Sequence, residues 1–197
     1  MIVIGITGTF GAGKGTVVKY LQGCYGIESF SMRTMIAKCA DDHYGVLVEN
    51  RDDLRVNGNR LRKEFGPDIL VRTAADCAEG KNDCTIAVIE SIRCVGEVNH
   101  LAERFGQRFD HSFLLLAVDA KQKERFKRIT SRGDATDKVT FEEFCRQESA
   151  ELVGSSPWEQ NLMECAARAN HVIHNNGSEK DLYTAVGKFL NEHLPLR

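Results

Sequence analysis

A glycine-rich run at residues 8–16 constrains the fold of this chain more than any other feature of its sequence. It reads Gly-Thr-Phe-Gly-Ala-Gly-Lys-Gly-Thr and follows an apolar run at residues 2–6. This order predicts a buried strand, a tight turn and then a helix. Glycine lets backbone N–H groups curl around an anion, and the start of a helix adds partial positive charge. The sequence therefore predicts a phosphate-binding loop.

The side chains of this loop indicate what it binds. Lys14 supplies a mobile cation for β- and γ-phosphates, and Thr16 supplies a hydroxyl for phosphate or for Mg²⁺. We therefore predict ATP and Mg²⁺ as cofactors, with Thr16 as a metal-binding residue. The predicted nucleotide-binding residues of the loop are Gly8, Gly11, Ala12, Gly13, Lys14, Gly15 and Thr16.

Composition narrows the class of protein. A length of 197 residues suits one domain, and 26 basic residues against 28 acidic ones argue against a nucleic-acid partner. No run approaches the roughly 18 apolar residues of a membrane span, so no membrane partner is expected. Seven cysteines without a C-x-x-C pair indicate free thiols in a reducing compartment, which predicts a cytoplasmic protein. We expect a monomer or a small homo-oligomer.

Strand-like and helix-like patterns alternate along the whole chain. The strand patterns lie at residues 2–7, 27–31, 85–90, 112–118 and 171–174. The helical patterns lie at about 15–24, 33–48, 51–65, 68–79, 95–105, 121–132, 140–152, 158–168 and 179–193. Asn57-Gly58-Asn59 weakens the third helix, where a break is possible. The alternation predicts an α/β protein of P-loop NTPase fold, with a five-stranded parallel sheet flanked by helices.

Polar residues follow the predicted strands, at the sheet edge where α/β proteins bind ligands. Ser31 and Arg33 follow the second strand and suit an anionic acceptor. Glu90 ends the third strand, where an unpaired carboxylate is costly unless it meets a cation. We therefore expect Glu90 to hold Mg²⁺ or to orient the acceptor. Arg93 presents a guanidinium fork that binds phosphate with two parallel hydrogen bonds.

Two arginine-bearing segments flank the expected cleft. The helix predicted at residues 121–132 carries Lys121, Arg125, Arg128 and Arg132 on one face and runs into a polar stretch at residues 133–137. Arginines that close over a transferring phosphoryl group stabilise its charge, so Arg128 and Arg132 are predicted catalytic residues, with Lys14 and Arg93. This predicts a lid segment at about residues 121–152. An acceptor-binding segment is predicted at about residues 32–80, with Arg62 as its best candidate.

The histidines show no metal-binding pattern in the sequence. His171 and His174 are three residues apart in a strand, so their side chains point to opposite faces of the sheet.

With these residues identified, the chain resembles the nucleoside-monophosphate-kinase-like group of P-loop kinases. The Gly-Lys-Gly-Thr form of the loop is similar to that of adenylate kinases, because Gly15 stands where most such loops have Ser or Thr. Arg128-Ile-Thr-Ser-Arg132 looks like the signature that leads into the lid of these kinases. By this resemblance Arg128 lies against the adenine and Arg132 meets the phosphates. Asn176 and Gly177 look like part of the loop on the adenine side.

Departures from these kinases leave the acceptor open. Residues 31–34 contain no acid, whereas dephospho-CoA kinases carry an aspartate-rich turn there, and adenylate kinases have a longer lid. The favoured activity is phosphoryl transfer from ATP to a small phosphate-bearing acceptor, a nucleoside or deoxynucleoside monophosphate. One alternative is a dephospho-CoA kinase. Another, of a different class, is an ATP-binding switch or assembly factor.

Overall fold

The computed structural model describes residues 1–81, 83–106, 112–132 and 139–194. Within these ranges the chain alternates between strands and helices, as the sequence predicts. In chain order the elements are β1 (Ile2–Thr7), α1 (Lys14–Tyr25), β2 (Glu28–Ser31), α2 (Met32–Tyr44), α3 (Arg51–Phe65), α4 (Ile69–Glu79), β3 (Ile86–Ile92), α5 (Val95–Phe105), β4 (Ser112–Asp119), α6 (Gln122–Arg132), α7 (Phe141–Leu152), α8 (Leu162–Ala167), β5 (His171–His174) and α9 (Glu179–His193).

The five strands form one parallel sheet in the order β2-β3-β1-β4-β5. On one face, residues of α2, α4 and α5 form a buried apolar cluster with β3; its members include Met35, Leu70 and Leu101. On the other face, α1 and α9 form a second cluster, which contains Leu21 and Phe189. The predicted five-stranded parallel sheet flanked by helices is confirmed. All carboxyl ends of its strands therefore meet at one edge.

Two helix boundaries differ clearly from the sequence-based prediction, each for a local reason. The helix α2 ends at Tyr44 and not near residue 48, because Gly45 adopts a left-handed conformation with φ of 63°. The helix predicted from residue 158 begins only at Leu162, where the side chain of Asn161 accepts a hydrogen bond from the N–H of Glu164.

The possible break in α3 does not occur. Asn57 donates from its side chain to the carbonyl oxygen of Asp53, a bond within the helix. Gly58 faces α2, and a Cβ at this position would lie 3.2 Å from Cδ1 of Ile36. The glycine thus allows α3 to pack closely on α2, and this packing holds the helix together where local propensity is poor.

None of the described helices is long and apolar enough to cross a membrane.

Candidate active site

The glycine-rich segment forms the turn between β1 and α1. Gly8 and Gly13 have φ of 136° and 106°, which residues with a Cβ rarely adopt. A Cβ on Gly8 would lie 2.0 Å from the carbonyl oxygen of Val118 in β4, so only glycine fits between the loop and the neighbouring strand. The helix α1 begins at Lys14 with Gly13 at its N-cap. Because helix N–H groups point toward the N-terminus, the first N–H groups of α1 point into the loop, in the arrangement that binds anions.

Lys14 closes across this loop. Its ammonium group donates to the carbonyl oxygens of Gly8 and Thr9 at 2.8 and 2.9 Å. These two bonds hold the positive charge at the mouth of the turn, beside the N-terminus of α1. The loop therefore combines a cation, a helix N-terminus and backbone N–H groups, which is the set that phosphate binding requires.

Asn175, which the sequence-based prediction missed, links the loop to the end of β5. Its side-chain amide donates to the carbonyl oxygen of Ala12 at 2.8 Å. Its own carbonyl oxygen accepts a hydrogen bond of 2.9 Å from Nη2 of Arg128. Its neighbour Asn176 instead accepts from the backbone N–H of Lys121 at 2.7 Å. Asn175 therefore joins the phosphate-binding loop, β5 and α6, and its place directly after the last predicted strand was the available sequence signal.

A cavity of about 990 Å³ lies at the carboxyl edge of the sheet, within the size range of ligand sites. It brings together most of the predicted site residues, although Gly8, Ala12 and Asn176 do not line it. Ala12 is fully buried and contributes its backbone alone. The predicted residues that line the cavity are Gly11, Gly13, Lys14, Gly15, Thr16, Ser31, Arg33, Arg62, Glu90, Arg93, Arg128, Arg132 and Gly177.

The turn after β3 has an unusual backbone. Ser91, between Glu90 and Arg93, has φ of 68°, and the register between β1 and β3 shifts at this point. A non-glycine residue in this region costs free energy, of the order of 1–3 kcal/mol, and such residues concentrate at functional sites. The carboxylate of Glu97 accepts hydrogen bonds from the backbone N–H groups of Arg93 and Cys94 at 2.8 and 3.0 Å. Glu97 thereby holds the turn in the shape that presents Arg93 to the cavity.

Arg62, predicted to bind the acceptor, lines the cavity and is paired with a buried carboxylate. Its side chain is fully buried, and its Nε and Nη2 each lie 2.8 Å from Oε1 of Glu97. A guanidinium committed to a buried carboxylate in this way is poorly placed to take an acceptor phosphate as well. Through Glu97, Arg62 is linked to the turn that carries Arg93, and its role in acceptor binding stays a prediction. Arg33 is exposed at the same cavity.

The side chain of Arg93 contacts the end of α7, which belongs to the predicted lid segment, and the stretch between α7 and α8. Its Nη1 donates to Oε2 of Glu151 at the end of α7 and lies 3.5 Å from Oε1 of Gln160. Both Glu151 and Gln160 are buried and line the cavity.

The arginines of the basic helix α6 have two different environments: one is buried against α7 and two line the cavity. Arg125 is buried and donates to Glu148 of α7 and to the carbonyl oxygen of Ala120, so it fastens the two helices together. Arg128 and Arg132 line the cavity, with the guanidinium of Arg132 5.8 Å from the ring centre of Phe10. Nη1 of Arg128 is buried and has no hydrogen-bond partner among the described residues. The part of the predicted lid at residues 133–138 lies outside the described residues.

The residues predicted to bind Mg²⁺ are compatible with it. Thr16 and Glu90 line the same cavity and offer a hydroxyl and a carboxylate oxygen. Mg²⁺ binds oxygen donors and keeps several of its waters, so two protein ligands beside bound phosphates suffice.

The cysteines are free thiols, and two of them lie buried behind the site. Cys94 donates from its Sγ to the carbonyl oxygen of Pro157. Burial raises the pKa of the Cys94 and Cys165 thiols, because the apolar surroundings disfavour a thiolate. Both remain neutral packing groups near neutral pH.

A glycine-rich loop between a central strand and a helix, in a parallel sheet of this order, defines an α/β P-loop NTPase fold. More particularly, the chain belongs to the AAA domain family AAA_18, whose model matches residues 4–154.

Relatives of similar length come from archaea. A UPF0200 protein of Staphylothermus marinus is 25% identical over 192 residues, covering 98% of this chain and 93% of that protein. A UPF0200 protein of Methanocaldococcus jannaschii is 28% identical over 196 residues, covering 98% and 91%.

Two solved structures resemble the whole chain. TT1252 from Thermus thermophilus matches with a TM-score of 0.61 and 23% identity, covering 98% of this chain and 97% of that one. Shikimate kinase from Bacteroides thetaiotaomicron matches with a TM-score of 0.58 and 14% identity, covering 99% of both chains. At these identities the likeness concerns the fold.

Proposed function

We propose that this protein is a small-molecule kinase, which transfers the γ-phosphoryl group of ATP to a phosphate-bearing acceptor. One observation carries the proposal: two sets of cationic groups, from different elements, line the same cavity. Lys14 and the N-terminus of α1 form one set, and Arg33 and Arg93 lie on the acceptor side. An ATP-binding switch needs the first set only. The second set favours a kinase, because it provides a separate binding site for an anionic second substrate.

The loop, Lys14 and Thr16 bind the phosphates of ATP, with Arg128 and Gly177 on the nucleotide side. Thr16 and Glu90 would hold Mg²⁺, which would supply positive charge to the phosphates. Arg93 and Arg33 hold the acceptor's phosphate, with Ser31 beside them. Arg132 and Arg128 stabilise the charge that spreads over the transferring group.

The chemistry proposed is an in-line displacement. An oxygen of the acceptor forms a bond to the γ-phosphorus as the bond between that phosphorus and the bridging oxygen of ADP breaks. If the acceptor oxygen belongs to an ionised phosphate, no proton needs to be removed, and the protein contributes positioning and electrostatic stabilisation alone. This favours a nucleoside or deoxynucleoside monophosphate as the acceptor. Dephospho-CoA, whose hydroxyl must lose a proton, is the alternative.

Release of ADP from ATP in the presence of single candidate acceptors tests the proposal. The panel consists of ribonucleoside and deoxynucleoside monophosphates, dephospho-CoA and phosphomevalonate. We expect one class of acceptor to raise the rate of ADP release well above the rate with ATP alone. Equal rates with and without every acceptor would favour the ATP-binding switch.

A further inference from the structure

The guanidinium of Arg93 already has an anionic partner. Its Nη1 is bonded to Oε2 of Glu151, and the two side chains are 16% and 5% exposed. Both line the cavity, so this carboxylate lies on the surface where an acceptor would bind. Two anions compete for a guanidinium when they need the same N–H groups.

Glu151 belongs to a helix that is fastened at two points on one face. Three residues earlier in α7, Glu148 is paired with Arg125 of α6 and accepts from Nε2 of Gln122 at 2.7 Å. Residues three apart share a face of a helix. The helix α7 is thus joined to α6 through Glu148 and to the turn after β3 through Glu151.

We infer that Glu151 occupies the place of the acceptor's phosphate on Arg93 and leaves it when the acceptor binds. This inference rests on the proposed kinase function. A phosphate monoester carries a charge of about −1.5 to −2 and three acceptor oxygens, so it outcompetes a single carboxylate for the guanidinium. Arg93 keeps an anionic partner in both states, so its guanidinium is never buried without a counter-charge. Binding of the acceptor thereby loosens the end of α7, which belongs to the predicted lid segment.

Kinetics of Glu151→Gln test this exchange. Glutamine keeps the shape of the side chain and removes the charge, so the acceptor no longer has to displace a carboxylate. We expect the acceptor's KM to fall about tenfold, with kcat within about threefold and the KM for ATP unchanged. The matched control is Glu143→Gln in the same helix, whose partner Arg146 is exposed, and it should leave all three parameters unchanged. An acceptor KM that is unchanged or raised in Glu151→Gln overturns the inference.

Hydrogen exchange separates this inference from the kinase proposal, because it needs no turnover. We expect a saturating nucleoside monophosphate to speed exchange at residues 148–152 in the wild type. In Glu151→Gln, exchange there should already be fast and should change little on addition. If no acceptor raises ADP release yet hydrogen exchange responds in this way, the kinase proposal fails, and the inference that Glu151 is displaced from Arg93 stands. Unchanged hydrogen exchange at residues 148–152 in the wild type overturns the inference that the acceptor displaces Glu151.

A second, independent observation concerns three side chains at the other end of the sheet. His171 begins β5, and Glu192 and His193 end α9, so they lie at the edge opposite the phosphate-binding loop. One ligand atom from each lies within 4.8 Å of the others. The ring of Phe189, which is buried, lies 5.6 Å from that of His171 and 5.1 Å from that of His193. Sequence reasoning missed this group because it compared His171 with His174 and not with a residue on another element.

We propose that these three side chains bind a divalent transition metal of the zinc class. Two imidazoles and one carboxylate are a donor set that Zn²⁺ uses, with water as a fourth ligand. Ligands about 2.1 Å from a tetrahedral ion lie about 3.4 Å apart, so atoms that lie within 4.8 Å of one another must approach by up to about 1.4 Å. Glu192 and His193 are exposed and free to make that adjustment, for which Glu192 gives up a contact of 3.8 Å with Lys188. The ion then ties the last helix to the edge strand.

The test counts bound Zn²⁺ by equilibrium dialysis, for the wild type, His193→Gln and His174→Gln. The last variant is the matched control, because His174 lies on the same strand and outside the cluster. We expect His193→Gln to lose one equivalent and His174→Gln to lose none. Saturating Zn²⁺ should also raise the Tm of the wild type and of the control by about 5 °C more than that of His193→Gln. Equal stoichiometry in the wild type and His193→Gln overturns the assignment.

Discussion

Gly13 approaches Asn175 so closely that a Cβ at position 13 would lie 2.4 Å from Nδ2 of Asn175. The same Nδ2 donates to the carbonyl oxygen of Ala12 in the phosphate-binding loop. A side chain at position 13 would therefore displace Asn175 and break the bond that holds the loop.

Gly13→Ala should therefore damage ATP binding. The new methyl group displaces Asn175, and the φ of 106° is itself unfavourable for alanine. We expect at least a tenfold weaker affinity for a fluorescent ATP analogue, measured by titration. Gly23→Ala is the control, because a Cβ there has no heavy atom within 4 Å, and it should bind ATP normally. Equal affinities in the two variants would contradict the importance of this contact.

Lys14→Ala should lower phosphoryl transfer by about 10²- to 10³-fold without unfolding the protein, because it removes a cation and opens no core cavity. The measurement is kcat with ATP and the best acceptor, together with the thermal midpoint. Lys180→Ala, an exposed lysine at the start of α9, is expected to retain normal turnover. Near-normal turnover in Lys14→Ala would remove the lysine from the active site.

Arg93→Lys should damage the use of the acceptor although the charge is kept. Lysine is a point charge and loses one of two parallel hydrogen bonds. A bond to a charged group is worth about 1.5–3 kcal/mol, so kcat/KM for the acceptor should fall roughly ten- to a hundredfold. ATP affinity without acceptor should change little, and the control Arg72→Lys, at a half-exposed side chain paired with Asp68, should change neither quantity. A loss confined to ATP affinity would place Arg93 in the nucleotide site.

Glu97→Gln should destabilise the whole domain. It leaves the guanidinium of Arg62 buried without a counter-charge, which costs about 3–5 kcal/mol. Urea unfolding measures this change. In Glu164→Gln an exposed pair with Arg168 is lost, and the expected cost is below about 1 kcal/mol. Similar, small costs in both variants would show that the buried pair is not a structural anchor.

Alkaline pH should unfold the protein partly through its buried thiols. Burial raises the pKa of Cys165 above the ordinary value of 9.0 in the native state. The unfolded chain therefore releases this proton first as the pH rises, and the stabilisation is full below pH 9.0 and falls above it. In Cys165→Ala the slope of unfolding free energy against pH above 9 should be shallower by up to about 1.4 kcal/mol per unit. The exposed Cys24→Ala should keep the wild-type slope; an unchanged slope in Cys165→Ala would refute this linkage.

The sequence alone determined the fold and the position of the phosphate-binding loop. Both depend on local patterns: apolar runs, helical periodicity and glycines at a fixed spacing after the first strand. Because carboxyl ends of parallel strands meet at one edge, the sequence also predicted that Lys14, Glu90, Arg93 and Arg128 would line a common cavity.

Only the tertiary structure decided what each charged side chain meets. The sequence predicts that Arg62 and Arg93 both bind the acceptor, yet Arg62 is buried in a pair with Glu97 and Arg93 is paired with Glu151 at the cavity. These partners lie 35 and 58 residues away along the chain. An ion pair of this kind depends on the distance between two elements after packing, and no local pattern encodes that distance.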